Sequence, residues 1–193
     1  MGGFSKNAQL LGYLLEQIGA AGHTRLIKLL YLADLESRRL RGKPVSELRF
    51  QFHHHGPFDR AFYVALGELE RRQLVAEKIV HYPSGKHERQ VEARGLVPQQ
   101  LDAVDRHILT QVCRTYGRMP LDDLLAIVYD SAPMKNLERG KRVPMENENN
   151  KDRAEIGFDV EAAIAAQQEA ERGNYMTGAD FFDALRAKIA ARG

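Results

Sequence analysis

The amino-acid sequence predicts a mainly α fold: a compact helical body with a small antiparallel β-hairpin, in winged-helix-like order, followed by a C-terminal helical arm. Apolar residues recur at helical spacing through most of residues 1–137. Two short, polar runs flank the turn residues Pro83, Ser84 and Gly85, which is typical of a hairpin. Together these patterns indicate several packed helices and one small sheet.

Composition divides the chain of 193 residues into three parts. Residues 138–157 carry ten charges and three asparagines, and so little apolar surface cannot offset the entropy of ordering the segment. We therefore expect a body over residues 1–137, a polar linker over 138–157 and an amphipathic helical arm over 158–193. The chain has 28 basic and 26 acidic residues, a net charge of +2, which argues against a protein that coats nucleic acid.

The first two predicted helices form the front of the body. Apolar residues in 8–18 share one face, and the run Gly19-Ala20-Ala21-Gly22 ends that helix. The second helix is expected to start at Thr24 as its N-cap and to stop at Gly42. Its apolar arc is wide, which predicts a helix at the centre of the core.

The middle of the body combines short strands with a third helix. Alternating apolar and polar residues over 48–53 predict a strand that enters the turn His55-Gly56-Pro57. Asp59 is expected to cap a helix over residues 60–72.

The back of the body is predicted to be a hairpin and two more helices. Residues 74–80 and 87–93 form the strands of the hairpin. A single apolar stripe over 101–116 predicts one helix, and Pro120 at the first helical position opens another.

The arm is predicted to contain two short helices, the second beginning at Thr177 with Asp180 three residues on, as in a capping box. Helices this short bury little alone, so they either dock on the body or contact a partner protein, and the pattern favours neither. The candidate partner-binding residues are Phe158, Ile164, Tyr175, Met176, Phe181, Phe182, Leu185 and Ile189.

Signatures of enzymes are missing, so we expect no enzyme, no catalytic residue, no metal and no cofactor. The sequence has no nucleophile elbow, phosphate-binding loop or dinucleotide fingerprint. Cys113 lies on an apolar helix face, where a small buried residue is typical. In an extended His53-His54-His55 only His53 and His55 share a face, so a metal ion would need further ligands from elsewhere.

The single cysteine also bears on the compartment. It excludes an internal disulfide framework and is typical of a reducing environment. No secretory signal and no apolar run long enough to span a bilayer is present, so we expect a cytoplasmic protein without a membrane role.

A DNA-binding function is the alternative that the winged-helix-like order suggests. Its phosphate-binding candidates are Arg71, Arg72 and Lys86. Against it, Glu68 and Glu70 lie on the candidate recognition helix and would repel phosphate. Basic residues at helix ends also interact favourably with the helix dipole without any ligand.

Four motifs resemble those of one protein family. They are IKLLYLAD from Ile27 to Asp34, Gly42-Lys43-Pro44, His55-Gly56-Pro57, and Tyr116-Gly117 followed by the segment from Leu121 to Ala132-Pro133. In this order and spacing they resemble the Panacea-domain family, also called SocA-like antitoxins. They span about residues 24–135, which is the body delimited by composition.

The resemblance implies a largely helical, promiscuous neutralising module without catalytic residues. Such a module binds a protein toxin encoded by the adjacent gene and, in some members, delivers that toxin to a protease. Relatives often place a tryptophan after the proline that corresponds to Pro133, whereas this chain has Met134 and no tryptophan. The arm is similar to the C-terminal pattern of small bacterial antitoxins. We therefore expect an antitoxin-like protein, with a winged-helix DNA-binding regulator as the alternative.

Overall fold

The computed structural model describes residues 3–83, 85 and 87–145. In chain order the elements are α1 (Lys6–Ile18), β1 (Ala21–Gly22), α2 (His23–Arg41), β2 (Gln51–His53), β3 (Gly56–Phe58), α3 (Ala61–Arg71), β4 (Val75–His81), β5 (His87–Ala93), α4 (Ala103–Tyr116) and α5 (Leu121–Asp130). The described part is mainly α with small antiparallel sheets, as the sequence predicts. No helix in it is both long and apolar enough to cross a membrane. The predicted arm lies outside the described residues.

Two small antiparallel sheets complete the body. The predicted hairpin is confirmed as β4 and β5, which pair from Val75 opposite Ala93 to His81 opposite His87. β1 adds to β5 as a third strand, so the strand order is β1-β5-β4. β2 and β3 form the second sheet. Neither β1 nor β3 is predicted from the sequence, because two or three residues are too short for an alternating pattern.

α2 is the central helix, as its wide apolar arc predicts. Every residue from Leu26 to Asp34 is buried. The helix contacts α4 and α5 as well as β1, β3 and β5, so it has no continuous solvent face over this stretch.

The start of α2 differs from the sequence prediction, whereas its end agrees with it. The predicted N-cap at Thr24 is wrong: the helix begins at His23, and Gly22 occupies the cap position without a side-chain hydrogen bond. The reason is that β1 pairs with β5 up to Gly22 and leads the chain directly into the helix. Gly42 ends the helix in the left-handed conformation, with φ 80° and its N–H donating to the Arg38 carbonyl.

Polar side chains on the second half of α2 hold the loop that follows it. Asp34 accepts hydrogen bonds from Ser46 N at 2.7 Å and from Ser46 Oγ at 2.6 Å. Ser37 Oγ donates to the Lys43 carbonyl at 2.7 Å. Burial raises the pKa of Asp34 to about 6, although the hydrogen bonds from Ser46 oppose that shift.

Tyr31 and Arg41 connect α2 to the last two helices. Tyr31 hydroxyl and Ser131 Oγ are 2.8 Å apart, which joins α2 to the end of α5. Arg41 forms an ion pair with the buried Asp105 of α4, and Lys6 Nζ lies 3.0 Å from the same carboxylate. Loss of one partner would leave an uncompensated buried charge, which costs far more than loss of a surface ion pair.

The first part of the predicted linker packs on β2. Phe52 N donates to the Lys141 carbonyl at 2.8 Å, and Val143 N donates to the Phe50 carbonyl at 2.9 Å. Val143 is buried. The division into body, linker and arm stays a prediction, because most of the linker and the whole arm lie outside the described residues.

We expect Asp34→Asn to remove a pH dependence of stability. The folded carboxyl has a pKa of about 6, above its ordinary value of 3.8, so between these values the folded state holds a proton that the unfolded chain has lost. The free energy of unfolding of the wild type therefore falls as the pH rises through this window. The variant lacks this fall. The difference in the free energy of unfolding between the two proteins therefore changes by up to about 1.4 kcal/mol for each pH unit. Urea unfolding across the window measures it.

Two further variants make this test specific. Asp123→Asn, at an exposed position of α5, is the matched control and should follow the wild type. Asp34→Ala leaves both donors of Ser46 without their acceptor and should cost about 1–3 kcal/mol at every pH. Identical pH profiles for Asp34→Asn and the wild type would contradict the assignment.

Candidate functional site

A small pocket lies where the first turns of α2 meet the β2–β3 hairpin and the start of α3. Its volume is about 270 Å³. The residues that line it are His23, Thr24, Ile27 and Lys28 of α2, His53, His55, Gly56 and Phe58 of the hairpin, and Phe62 and Tyr63 of α3. We call it the Lys28 pocket.

Lys28 supplies the cation of this pocket. Its side chain is almost completely buried, with 2% of the residue exposed. Nζ donates one hydrogen bond to the Pro57 carbonyl at 2.7 Å. A lysine ammonium has three N–H donors, so two remain for other acceptors. Burial lowers the pKa of Lys28 to about 7, because a charged amine loses its hydration in the core.

The turn between β2 and β3 brings the Pro57 carbonyl to this lysine. His53 pairs with Gly56 and Phe52 pairs with Pro57, so the turn consists of two residues only. Gly56 adopts φ +85°, which favours glycine, and a Cβ there would lie 3.6 Å from both Nζ of Lys28 and Cε1 of Tyr129. The motif His-Gly-Pro therefore has a local role: it closes the hairpin against Lys28.

Aromatic rings form the wall of the Lys28 pocket. The Tyr63 ring centroid lies 5.4 Å from that of His23, 6.0 Å from that of Phe58 and 5.2 Å from that of Phe62. Tyr63 is nevertheless 47% exposed, so it reaches from the wall to the surface. The start of α3 lies one residue later than the sequence predicts: the helix begins at Ala61 with Arg60 at the cap position, and Asp59 Oδ1, just before it, accepts a hydrogen bond from Ala61 N at 2.9 Å.

The electrostatics of the pocket favour an anion. None of the residues that line it is acidic. Glu77 of β4 lies outside the lining, with Oε1 2.7 Å from His23 Nε2 and Oε2 3.9 Å from Arg89 Nη1. The first turn of α2 contains no acidic residue, and Gly22 offers no side-chain acceptor to its free N–H groups. The positive end of the α2 dipole thus adds to the charge of Lys28.

The histidine run lies at the mouth of the pocket. His53 ends β2 and its ring packs 5.4 Å from that of Phe58, while His53 and His54 contact edge to face at 4.7 Å. His53 and His55 both line the pocket, but His54 and His55 form the turn, so the extended segment for which a common face is predicted does not extend past His53. The described residues contain no group of three or more histidine, cysteine or acidic side chains placed to hold a metal ion.

The sequence-predicted site residues lie elsewhere or outside the described residues. Arg71 and Arg72 are exposed at the end of α3, about 13 Å along the helix from Tyr63. Arg72 Nη2 lies 3.4 Å from Glu68 Oε1, and its guanidinium covers the ring of Phe4. Outside the described residues are Lys86 and all candidates in the arm: Phe158, Ile164, Tyr175, Met176, Phe181, Phe182, Leu185 and Ile189.

The sequence reasoning missed Lys28 as a site residue, although it noted the motif that contains it. The available signal is the position of a lysine between Ile27 and Leu29 on a helix whose apolar arc is wide. A cation in that position cannot reach solvent easily. It must therefore have a buried acceptor or a ligand.

Two other titratable groups on α4 are poor candidates for chemistry. Cys113 is buried, and burial raises the pKa of its thiol to about 12, so the reactive thiolate is not formed at neutral pH. Burial lowers the pKa of His107 to about 4, which keeps that imidazole uncharged.

Comparison with known proteins identifies one family. The model of the family described as "Antitoxin SocA-like, Panacea domain" matches residues 26–133. The match runs from α2 past the end of α5 and includes Lys28, the His55-Gly56-Pro57 turn and Tyr63. Neither the search of curated proteins nor the search of solved structures gave a match.

We expect Lys28→Met to remove a rise in stability at alkaline pH. The folded amine has a pKa of about 7 and the unfolded one about 10.5, so between these values the unfolded chain binds the extra proton. The free energy of unfolding of the wild type therefore rises with pH through this window, by at most about 1.4 kcal/mol for each pH unit. In the variant this contribution is absent. Denaturant unfolding at several pH values measures the difference.

Lys43→Met is the matched control, because Lys43 is exposed just beyond α2 and its carbonyl, not its amine, bonds Ser37. The control should keep the alkaline rise of the wild type. A Lys28→Met protein with an undiminished rise would show that the Lys28 amine titrates normally.

Proposed function

Because the chain belongs to the family of SocA-like antitoxins with a Panacea domain, we propose that it is an antitoxin that binds and neutralises a protein toxin. The observation that supports this most directly is the match of the family model to residues 26–133. Within that region, the hydrogen bond from Lys28 to the Pro57 carbonyl joins two family-like motifs that are separated in sequence, and both Lys28 and the hairpin border a pocket. The toxin is encoded by the adjacent gene in this proposal.

The surface around the Lys28 pocket suits a protein partner. Tyr63 and Val64 are 47% and 70% exposed on α3, and Ile79 is 56% exposed on β4. Ile79 follows Glu77 by two residues and so shares its sheet face, the one that meets His23. Exposed aromatic residues such as Tyr63 are enriched at protein interfaces. We infer that the toxin contacts this surface.

The arm over residues 158–193 supplies a second contact in this proposal. The last described residues run antiparallel to β2, with Lys141 bonded to Phe52 and Val143 bonded to Phe50, so residues 141–143 run away from His53 and the Lys28 pocket. The proposal of a second contact therefore rests on the apolar pattern of the arm. Two linked contacts raise the overall affinity well above that of either alone.

The proposed action is binding, not catalysis, and it takes place in the cytoplasm. The buried thiol of Cys113 and the uncharged His107 support a binding role, since neither offers a nucleophile or a base at the surface. Bound toxin is blocked directly or delivered to a protease. A toxin that disappears from cells only while a protease is active would identify the second route.

DNA binding in winged-helix manner remains the second candidate. The strand order β1-β5-β4 and the exposed Arg71 before the hairpin favour it. Glu68, which accepts from Ser5 N and Oγ, and the contact of Arg72 with Phe4 count against it. A DNA-binding protein would shift its own promoter DNA with a steep salt dependence. No shift at low salt would exclude this function.

Co-expression with the neighbouring reading frame tests the proposed function. We expect the neighbouring protein to arrest growth when produced alone, and this protein to restore growth through complex formation. Colony counts and co-purification measure the two effects. The proposal fails if the neighbouring protein is harmless, or if it still arrests growth in the presence of this chain.

The contribution of the arm is tested in the full chain. Phe181→Asp with Leu185→Asp places two charges on the apolar face of the predicted helix and should raise the Kd for the toxin about 100-fold. Ala187→Asp adds one negative charge on the opposite face of the predicted helix and should leave the Kd unchanged. Equal Kd values for the double variant and the wild type would show that the arm makes no contact with the toxin.

A further inference from the structure

The Lys28 ammonium has donors available toward the pocket. Pro57 takes one of its three N–H groups, and Lys28 is itself among the residues that line the cavity. A Cβ built on Gly56, which also lines the pocket, would lie 3.6 Å from Nζ, so the amine is next to the lining. Only 2% of the residue is exposed, so bulk water does not compete well at this position.

No carboxylate of the described residues compensates this cation from within the pocket. His23 faces it from α2, His53 and His55 from the hairpin, and Tyr63 from α3. Tyr129 of α5 lies behind Gly56. Glu77 of β4, which contacts His23, is outside the lining. A buried ammonium with only one carbonyl partner is costly, and an incoming anion would relieve that cost.

The size of the cavity limits the anion to a small group. Its volume of about 270 Å³ is below the range of about 300–1,000 Å³ that small-molecule sites usually have. A single side chain fits such a volume better than a nucleotide does. Tyr63 lines the pocket and is 47% exposed, which indicates that the entering side chain belongs to a macromolecule that contacts this aromatic group at the surface.

We propose that the Lys28 pocket receives the carboxylate of an aspartate or glutamate side chain of the toxin, and that this carboxylate accepts hydrogen bonds from the Lys28 ammonium. The inference rests on the proposed function, since it names the chemistry by which the same partner is recognised. With a pKa of about 7 the Lys28 amine is about half protonated at neutral pH, and pairing with a carboxylate raises the pKa and favours the charged form.

A probe that does not depend on the toxin tests the pocket first. N-acetylglutamate methylamide is titrated against the full chain with ¹³C-labelled lysine at constant ionic strength, and N-acetylglutamine methylamide is the neutral control. We expect the glutamate probe alone to shift the Cε signal of Lys28 saturably and to raise the pKa of its amine. Exposed Lys43 should show no saturable shift. The apparent affinity should fall about tenfold per pH unit above the pKa of about 7, as the free amine loses its proton.

Several results would overturn the inference. These are no shift with the glutamate probe, an equal shift with the glutamine probe, or saturation with inorganic phosphate but not with the glutamate probe. The measurement uses the wild-type chain, so it does not depend on whether Lys28→Met folds.

The neighbour-encoded toxin then separates this inference from the proposed function. Lys28→Met should weaken toxin binding about 10- to 100-fold, the loss expected for a charge-assisted hydrogen bond, whereas Lys43→Met should not. Thermal unfolding confirms that both variants are folded. Equal affinity of Lys28→Met and the wild type overturns the carboxylate inference and leaves the antitoxin function intact. If the wild type itself fails to bind the toxin, the proposed function fails, and the glutamate probe alone decides the inference.

Discussion

The fold depends on the burial of α2. Every residue from Leu26 to Asp34 is buried, and helices and strands surround the helix. A helix in this position cannot leave polar groups without partners, because an unpaired buried group costs about 1–3 kcal/mol. Its buried polar side chains therefore need hydrogen-bonding partners in the segments that pack around the helix. Lys28, Tyr31 and Asp34, three residues apart, each bond a different segment: Pro57 in the hairpin, Ser131 after α5 and Ser46 in the loop after α2.

This constraint explains why short motifs far apart in the sequence belong together. The residues of IKLLYLAD lie at the centre of the fold. The other motifs lie in the segments that end this helix or pack against its polar side chains. Gly42 ends α2, Gly56 closes the hairpin on Lys28, and Ser131 follows the helix that covers Tyr31. None of these contacts uses an exposed side chain as its anchor.

Two of the buried polar groups reduce stability at neutral pH instead of adding to it. The pKa of Lys28 is lowered and that of Asp34 is raised, so each is less easily charged in the folded protein than in water. Asp34 is compensated by two hydrogen bonds from Ser46 and has a purely structural role. Lys28 has a single carbonyl partner and borders a cavity. Burial of either group costs free energy, but the consequences differ. The hydrogen bonds of Asp34 fix the loop after α2, whereas Lys28 borders the proposed ligand site.

The sequence by itself determined the helices, the β4–β5 hairpin, the central place of α2 and the family, because periodic apolar patterns, glycine stops and ordered motifs are local signals. It did not determine β1 and β3, which are too short to show alternation and exist only because β5 and β2 pair with them. Nor did it identify the Lys28 pocket. In the local sequence pattern, a lysine on an apolar helix indicates either a solvated charge or an interruption of the apolar face. Only the approach of Pro57 and Tyr63 from distant elements makes Lys28 a buried cation beside a cavity. Burial and electrostatics are sums over neighbours in space, so the tertiary structure alone decides them.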